Sequence, residues 1–298
     1  ATPANFMQPA SEHREIPSPN SIAILGVGAL GASVGLAAKR KWPDAVISGW
    51  FRQPEKLQYA IQVGYLHHGG MDVAEVVRDA DVVVVATPVG RIADFAVQAL
   101  RHIRPGAIVT DVGSTKLKLT DQVLQRSENA GRFVPAHPIA GTERTGIDAA
   151  FAEMFDDQLT IVTPTSDCDQ DAQSLGVAFW RGLGCRVHLM PSQQHDEMCA
   201  MISHVPNLAA RCLVDTLEPM HDWAVGSGFL STTRTAKGDT AMWRDICLHN
   251  PDEIHAQLGR LIESLTKVQR AIGDGDTAMI EQFLATSQER RQTIQRDD

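Results

Sequence analysis

The feature that most constrains the fold is an apolar run that stops at a glycine-rich turn and continues into an alanine-rich stretch. The run Ser21 to Leu25 is followed by the turn Gly26-Val-Gly28-Ala-Leu-Gly31, and the small residues up to Arg40 suit a helix. A continuous apolar run is typical of a strand that is buried on both faces, as in a parallel sheet. The junction therefore predicts a strand, a tight turn and a helix, the opening of a βαβ unit.

The same alternation of short apolar runs and helical segments continues along the chain. Further strand-like runs lie at Ala45 to Gly49, Asp81 to Ala86, Ala107 to Thr110, Arg132 to Pro135, Leu159 to Val162 and Cys185 to Leu189. Helical segments separate most of these runs, which predicts a mainly parallel sheet with helices on both faces.

The pattern changes near Pro191, after which only amphipathic helical stretches such as Asp252 to Ile272 are visible. Their apolar faces need a partner because no strand follows that they can cover. We predict a flexible tail over residues 1–20, a dinucleotide-binding α/β domain over 21–190 and an all-helical domain over 191–298.

Composition and charge exclude several classes of protein. The formal charge of −9 and the pI near 5.6 argue against nucleic acid or a membrane surface as a partner, because polyanions repel an acidic protein. No apolar run approaches the roughly 18 residues that span a bilayer, and residues 1–20 lack the apolar core of a signal peptide. The five cysteines are odd in number and lie in apolar patterns, so buried reduced thiols are expected in place of disulfides. No CxxC pair is present, so no metal site is expected. We expect a cytoplasmic protein.

Each glycine of the turn suits the binding of a dinucleotide. The first allows a tight turn, the second lets the backbone approach the pyrophosphate, and the third lets the helix pack against the strand. The N-terminus of the following helix offers free N–H groups to the phosphates. The expected cofactor contacts are Gly26, Gly28, Leu30, Gly31 and Arg52, with Thr87, Pro88 and Gly113 at later strand ends.

The end of the second strand bears on the choice between NAD and NADP. A site for NAD usually has an acidic residue about twenty positions past the last glycine, where it bonds the ribose hydroxyls. This chain has Phe51 and Arg52 there. Phenylalanine accepts no hydrogen bond, whereas a guanidinium pairs with a 2′-phosphate through two hydrogen bonds. We therefore favour NADP over NAD. The alternative is that Arg52 is a solvated loop residue or stacks on adenine in an NAD enzyme.

Two strand ends carry the candidate catalytic residues. Ser114 follows the strand that ends at Thr110, and His137 follows the strand that ends at Pro135. Open α/β sheets bind ligands at the carboxyl ends of their strands. Histidine suits a general base because its ordinary pKa lies near neutral pH. A structural role for His137 is the alternative.

Two segments of the helical half add candidate substrate contacts. In Ser203-His204-Val-Pro206-Asn207 the proline interrupts a helical pattern, and the resulting kink would aim His204 and Asn207 at a cleft. A kink with a capping serine and no functional role is the alternative. The polar stretch from Thr232 to Asp245 contains Arg234 and Arg244, either of which suits a carboxylate, although surface ion pairs are the commoner role of such residues.

Taken together, these motifs resemble the prephenate/arogenate dehydrogenase family of tyrosine biosynthesis. The resemblance covers roughly residues 21 to 275 and rests on Gly26–Gly31, Asp111–Lys116, His137–Glu143, Ser203–Pro206, Thr233-Arg234 and Met242–Ile246, in that order. It implies a Rossmann-type domain followed by a helical domain that forms a homodimer. It also implies the oxidative decarboxylation of a cyclohexadienol, with hydride transfer to NAD(P)⁺.

The resemblance assigns roles to individual residues of this chain. His137 would take the proton of the substrate hydroxyl as general base, and Ser114 would share that contact. Arg234 would bind a substrate carboxylate. Glu143 would lie near the cleft entrance and position cationic partners. His204, Asn207 and Trp243 would complete the substrate site.

One departure from the family pattern and several rival functions leave the substrate open. Many members that prefer prephenate have histidine where this chain has Asn207, which leaves arogenate, or use of both substrates, open. A dehydrogenase of 4-amino-4-deoxyprephenate would keep the same residues. A β-hydroxyacid dehydrogenase is disfavoured because Gln193 to Leu213 lacks the lysine that such enzymes use. A protein that binds the cofactor without chemistry is the remaining alternative.

Overall fold

The computed structural model describes residues 18–141, 144 and 146–294. Its first sheet has six parallel strands in the spatial order β3-β2-β1-β4-β5-β6. The strands are β1 (Ser21–Leu25), β2 (Val46–Trp50), β3 (His68–Gly70), β4 (Val82–Val85), β5 (Ile108–Asp111) and β6 (Phe133–Val134). The order reverses between β1 and β4, which is the place where open α/β sheets bind ligands. The predicted Rossmann-type parallel sheet is thus confirmed.

Among the described residues up to 190, six α-helices connect and cover the strands. They are α1 (Ala29–Lys41), α2 (Pro54–Gln62), α3 (Val73–Val77), α4 (Val89–Leu100), α5 (Leu117–Arg126) and α6 (Gln170–Gly182). The sheet is buried because its strands carry apolar side chains on both faces, as in β4, whose four valines are all buried. Trp180 of α6 is fully buried in the same core and donates a hydrogen bond to the Thr110 hydroxyl (3.2 Å).

A second, three-stranded sheet replaces part of the single sheet expected from the sequence. It consists of β7 (Ala136–Pro138), β8 (Leu159–Val162) and β9 (Arg186–Leu189). β7 is antiparallel to β8, and β8 is parallel to β9. The chain leaves the first sheet at Pro135, which has no N–H to donate to a strand ladder. His137 therefore lies within β7, opposite Ile161, and not beyond the end of a strand in the first sheet.

The rest of the described chain is helical. Its elements are α7 (Ser192–Cys199), a π-helical turn (Ala200–His204), α8 (Val205–Asp215), α9 (Ser227–Thr232), α10 (Thr240–His249), α11 (Pro251–Asp274) and α12 (Thr277–Thr293), with short 3-10 turns at Pro219–Ala224 and Arg234–Lys237. The expected absence of strands holds for the described residues beyond Ser192. No helix there or elsewhere in the described residues is long and apolar enough to cross a bilayer.

By their contacts the described residues form two compact units. One contains the residues up to Asp196 together with Gly238–His249, and the other contains Glu197–Lys237 and the residues from Asn250 onward. The segment Gly238–His249 lies in the first unit because α10 packs against α4 and the Leu248 carbonyl accepts a hydrogen bond from Lys118 Nζ (2.9 Å).

Candidate active site

The glycine-rich turn between β1 and α1 has the geometry that its sequence predicts. Gly26 has φ +101°, and a Cβ there would lie 2.7 Å from the Ala86 backbone. A Cβ on Gly31 would lie 2.1 Å from the Gly26 carbonyl oxygen, so only glycine fits. A Cβ on Gly28, in contrast, would meet no atom within 4 Å. Gly26 and Gly31 therefore close the turn, whereas Gly28 leaves open space in front of the N-terminus of α1.

A cleft of about 390 Å³ opens in front of this turn, between the ends of β2 and β4. Three exposed cations lie along it, namely Arg52, Lys56 and Arg91. The Thr87 hydroxyl is buried and has no hydrogen-bond partner in the described structure, although buried polar groups are usually paired. Open space at Gly28, an unpaired buried hydroxyl and positive charge all suit the phosphates and ribose of a dinucleotide.

The cleft separates the predicted cofactor residues into two groups. Gly26, Gly28, Arg52, Thr87 and Pro88 line it. Leu30 instead packs against the core, and the Gly113 N–H donates to Asp111 Oδ2 (2.8 Å). Phe51, which takes the place of the acid of an NAD site, is 7% exposed and belongs to the core.

His137 is paired with a second histidine that sequence reasoning missed. Its Nδ1 lies 2.8 Å from Nε2 of His195, and Nδ1 of His195 lies 2.7 Å from Oδ1 of Asp196. His137 is half-buried, whereas His195 and Asp196 are inaccessible to solvent or nearly so. The three side chains form one hydrogen-bonded row that runs from β7 into α7.

Asp196 also anchors the loop that carries Ser114. Its carboxylate accepts hydrogen bonds from the backbone N–H groups of Lys116 (2.8 Å) and Leu117 (2.9 Å). These N–H groups lie at the N-terminus of α5, where helices have unpaired donors and a partial positive charge. One buried carboxylate therefore fixes both the N-terminus of α5 and the ring of His195.

A buried ion pair supports the same region from the other side. Lys116 Nζ and Asp111 Oδ2 form a salt bridge, and both side chains are fully buried. Asp111 Oδ1 accepts the N–H of Ala136 (3.0 Å), the residue before His137. Breaking such a pair from one side leaves an uncompensated buried charge, which typically costs about 3–5 kcal/mol. The pair holds the start of β7 against the end of β5.

The surroundings of His195 favour its neutral form. Burial lowers the pKa of His195 below its ordinary value, the hydrogen bond to Asp196 opposes this, and the nearby Lys116 ammonium lowers it further. Burial is the largest of these effects, as expected for a cationic acid removed from water.

Ser114 lies in the loop between β5 and α5, two residues before Lys116, whose backbone N–H donates to Asp196. Ser114 is half-buried. The neighbouring Thr115 is fully buried, and its hydroxyl has no hydrogen-bond partner within the described residues. The predicted contact between Ser114 and a substrate hydroxyl stays a prediction.

In the second unit, the serine–histidine–proline segment forms a π-helical turn in place of a simple kink. The Val205 N–H donates to the Ala200 carbonyl, five residues earlier, and Pro206 follows in the first turn of α8. Such wider turns occur frequently at functional sites. His204 is buried, and its Nδ1 lies 3.3 Å from Nδ2 of Asn250.

Asn207 is held by protein groups of the same unit. Its Nδ2 donates to the Thr235 carbonyl (2.7 Å), and its Oδ1 accepts from Arg211 Nε (2.9 Å). Thr235 belongs to the short helical turn that begins at Arg234. Asn207 therefore ties α8 to the segment that carries the predicted carboxylate-binding arginine, whose side chain is exposed.

The remaining candidates lie in or near α10 and in the region before β8. Arg244 forms an ion pair with Asp245 through two nitrogens, at 2.9 and 2.7 Å, and is 64% exposed. Trp243 is half-buried in the same helix. Glu143 lies outside the described residues.

Comparisons with known proteins cover both halves of the chain. The family model of the prephenate dehydrogenase nucleotide-binding domain matches residues 34–189, and that of the prephenate dehydrogenase dimerization domain matches residues 191–286. A cyclohexadienyl dehydrogenase of Zymomonas mobilis is 30% identical over 284 residues, which cover 93% of this chain and 96% of that protein. A prephenate dehydrogenase of Bacillus subtilis is 30% identical over 280 residues, which cover 91% of this chain and 75% of that protein.

A solved structure is similar over almost its whole length. It is the prephenate dehydrogenase from A. aeolicus in complex with hydroxyphenyl propionate and NAD⁺, with a TM-score of 0.86 and 30% identity. The match covers 93% of this chain and 98% of that one.

Proposed function

Because this chain belongs to the prephenate dehydrogenase family, we propose that it catalyses the oxidative decarboxylation of prephenate, with His137 as the general base. The observation that carries this proposal is the 2.8 Å contact between His137 Nδ1 and the buried His195 Nε2, which holds the half-buried imidazole in place. A general base has to be held in a defined orientation with its pKa near the working pH.

The proposed reaction needs a single base, which takes one proton from the substrate and later returns it. His137 takes the proton of the C4 hydroxyl as the C4 hydrogen leaves as hydride. The bond between C1 and the ring carboxylate then breaks, CO₂ leaves, and the electron pair moves through the ring to the C4 oxygen. His137 returns its proton to that oxygen, which gives the phenol. The nicotinamide, when bound, supplies the hydride acceptor.

The other residues bind and orient the substrate in this proposal. Ser114 shares the contact to the C4 hydroxyl, since it lies in the loop that Asp196 anchors. Arg234 binds a substrate carboxylate through a charge-assisted pair. Arg244 is less suited to that role because Asp245 already neutralises it. His204, Trp243 and Glu143 complete the substrate contacts.

We propose NADP as the preferred cofactor and NAD as the second choice. Exposed Arg52, Lys56 and Arg91 line the cleft beside the glycine turn, and the position of the usual acid is taken by the core residue Phe51. These cations suit the additional charge of a 2′-phosphate. The A. aeolicus relative was solved with NAD⁺, which supports the use of NAD as well.

Asn207 favours arogenate as a second substrate. A neutral amide that is held by Thr235 and Arg211 brings no charge of its own to distinguish a keto from an amino side chain. The Zymomonas mobilis relative is named for the whole cyclohexadienyl class. A 4-amino-4-deoxyprephenate substrate is not favoured, because the relative with that name matches only 47% of this chain.

We further propose that the second unit forms a homodimer. Large apolar side chains are exposed along its helices, among them Trp223 (86%), Ile262, Leu265 and Ile272. A single copy rarely leaves so many large apolar groups in water. The family match over residues 191–286 is to a dimerization domain.

The test is the near-ultraviolet absorbance of reduced nicotinamide, with prephenate and arogenate each assayed against NADP⁺ and NAD⁺. We expect turnover with prephenate, faster with NADP⁺ than with NAD⁺. Binding of both cofactors without turnover of either substrate would contradict the proposed activity. A faster reaction with NAD⁺ would contradict only the cofactor preference.

A further inference from the structure

We infer that His195 and Asp196 are positioning residues that hold His137 in a single tautomer, with the proton on Nδ1 and the lone pair on Nε2. This inference rests on the proposed role of His137 as the base and adds His195 and Asp196 as residues that orient it.

The direction of the hydrogen bonds follows from Asp196. Its carboxylate already accepts two backbone N–H groups, from Lys116 and Leu117, and acts as an acceptor in both contacts. Nδ1 of His195, at 2.7 Å from the same carboxylate, therefore carries a proton and donates it. In a neutral ring the other nitrogen, Nε2, then has only a lone pair.

The second hydrogen bond transmits this choice to His137. Since Nε2 of His195 is an acceptor, the 2.8 Å contact requires that His137 Nδ1 donates. A neutral His137 consequently has its lone pair on Nε2, where a base needs it. A carboxylate that selects the tautomer of a catalytic imidazole is a known device, and here a second imidazole lies between the carboxylate and the base.

Burial is the main reason that His195 stays neutral. Burial and Lys116 lower its pKa, whereas Asp196 and Asp111 raise it, and the Cys199 thiol lies within 4.8 Å of the ring nitrogens of His195 and His137. Burial and the Lys116 ammonium disfavour a proton on Nε2 of His195. If that proton were present, His137 would have to accept with Nδ1 and place its own proton on Nε2, and it would then be unable to act as a base.

Two substitutions at residue 195 separate the hydrogen bond from the bulk of the ring. In His195→Gln the amide oxygen reaches about the place of Nε2 and accepts from His137, whereas His195→Leu fills similar space with no acceptor. We expect His195→Leu to lower kcat about 10- to 100-fold through loss of orientation, with the KM for prephenate and the Kd for the cofactor changed less than about threefold. His195→Gln should restore most of the lost kcat.

The pH profile of kcat is the readout that a merely structural role would not move. We expect its acidic limb to shift in His195→Leu and to stay near the wild-type position in His195→Gln, because that limb reports the protonation of the base. Equal kcat values and equal profiles in the two variants would overturn the inference, whether both are active or both are impaired.

A measurement on the unmodified protein covers the case in which a variant fails to fold. Nitrogen NMR of ¹⁵N-labelled histidine distinguishes a protonated ring nitrogen from one with a lone pair. We expect His137 of the wild type at neutral pH to be protonated at Nδ1, and a proton on Nε2 would overturn the inference. This NMR result does not depend on turnover. Failure of the proposed activity would instead appear as absent turnover in the wild type, so the two failures can be distinguished.

Discussion

The cofactor cleft and the histidine row lie in the same unit and are built in opposite ways. The cleft is lined by Gly26 and Gly28, where the missing side chains leave the backbone accessible, and its cations lie exposed along it. His137 is instead fixed through side chains that are almost completely removed from water, His195 and Asp196. Backbone shape therefore forms the cleft that we propose for the cofactor, and buried polar contacts orient His137, the proposed base.

This difference predicts how each region responds to substitution. Surface substitutions usually change stability little, so replacing the exposed Arg52 should change cofactor selectivity and leave stability almost unaltered. Buried polar groups depend on one another, so removing one leaves its partners without hydrogen bonds.

The largest expected effect is that of His137→Ala. We expect kcat to fall about 10²- to 10⁴-fold, since general-base catalysis contributes factors of that size. Cofactor binding should persist, because the glycine turn is unaltered. Steady-state kinetics together with a cofactor titration measure both quantities, and near-normal turnover would remove His137 from the mechanism.

Two glycine substitutions separate the fold from the binding of the cofactor. Gly31→Ala should destabilise the protein by several kcal/mol, because its Cβ would clash with the Gly26 carbonyl at 2.1 Å. Gly28→Ala is the matched control: its Cβ meets no protein atom within 4 Å, so the thermal midpoint should stay near that of the wild type while cofactor affinity falls. A Gly28→Ala variant with unchanged Kd would show that the phosphates bind elsewhere.

Two arginine variants test which arginine, outside the cleft and the histidine row, binds the substrate carboxylate. Arg234→Ala should raise the KM for prephenate about 10- to 100-fold, because one charge-assisted hydrogen bond to the substrate is lost. Arg244→Ala should leave KM nearly unchanged, because Arg244 is paired with Asp245 at the surface. If the two variants exchange these effects, Arg244 binds the carboxylate.

Arg52→Ala tests whether an exposed cation of the cleft determines the choice of cofactor. We expect kcat/KM with NADP⁺ to fall about tenfold more than with NAD⁺, because only NADP⁺ carries the 2′-phosphate. Lys41→Ala is a suitable control, since Lys41 is another surface cation and pairs with Asp156 at 3.5 Å. Equal losses with the two cofactors would show that Arg52 does not contact the 2′-phosphate.

The smallest expected effect is a pH dependence of stability that originates at His195. Its pKa is lowered in the folded protein by burial, so below the ordinary value of about 6.5 the unfolded chain binds a proton that the folded chain does not. Stability should therefore fall with decreasing pH below about 6.5, by at most about 1.4 kcal/mol per pH unit. Urea unfolding at several pH values should show a smaller slope for His195→Gln, and an identical slope would contradict this assignment.

Local patterns explain what the sequence predicted. The glycine turn and strands such as β4 are visible in consecutive residues because their burial and backbone shape depend on near neighbours. β3 escaped prediction because it has only three residues, His68–Gly70, two of them glycine. The second sheet was not predicted because the alternation of strands and helices continues past Pro135, where the chain leaves the first sheet.

The hydrogen-bond contacts around His137 were not predicted, for a different reason. His195 is 58 positions from His137, and Asp196 is 80 positions from Lys116, so only the folded chain brings them together. An adjacent histidine and aspartate at the start of a helix, directly after the last parallel strand, was the only local signal. The motif predicts His137 as the base, whereas this weak signal does not predict which residues would orient it.

The most direct test of the proposed activity is a product balance with the wild-type protein, prephenate and NADP⁺. We expect one equivalent each of reduced cofactor, CO₂ and 4-hydroxyphenylpyruvate, because hydride transfer and loss of the ring carboxylate belong to one reaction. Reduced cofactor without CO₂, or cofactor binding with no product at all, would contradict it.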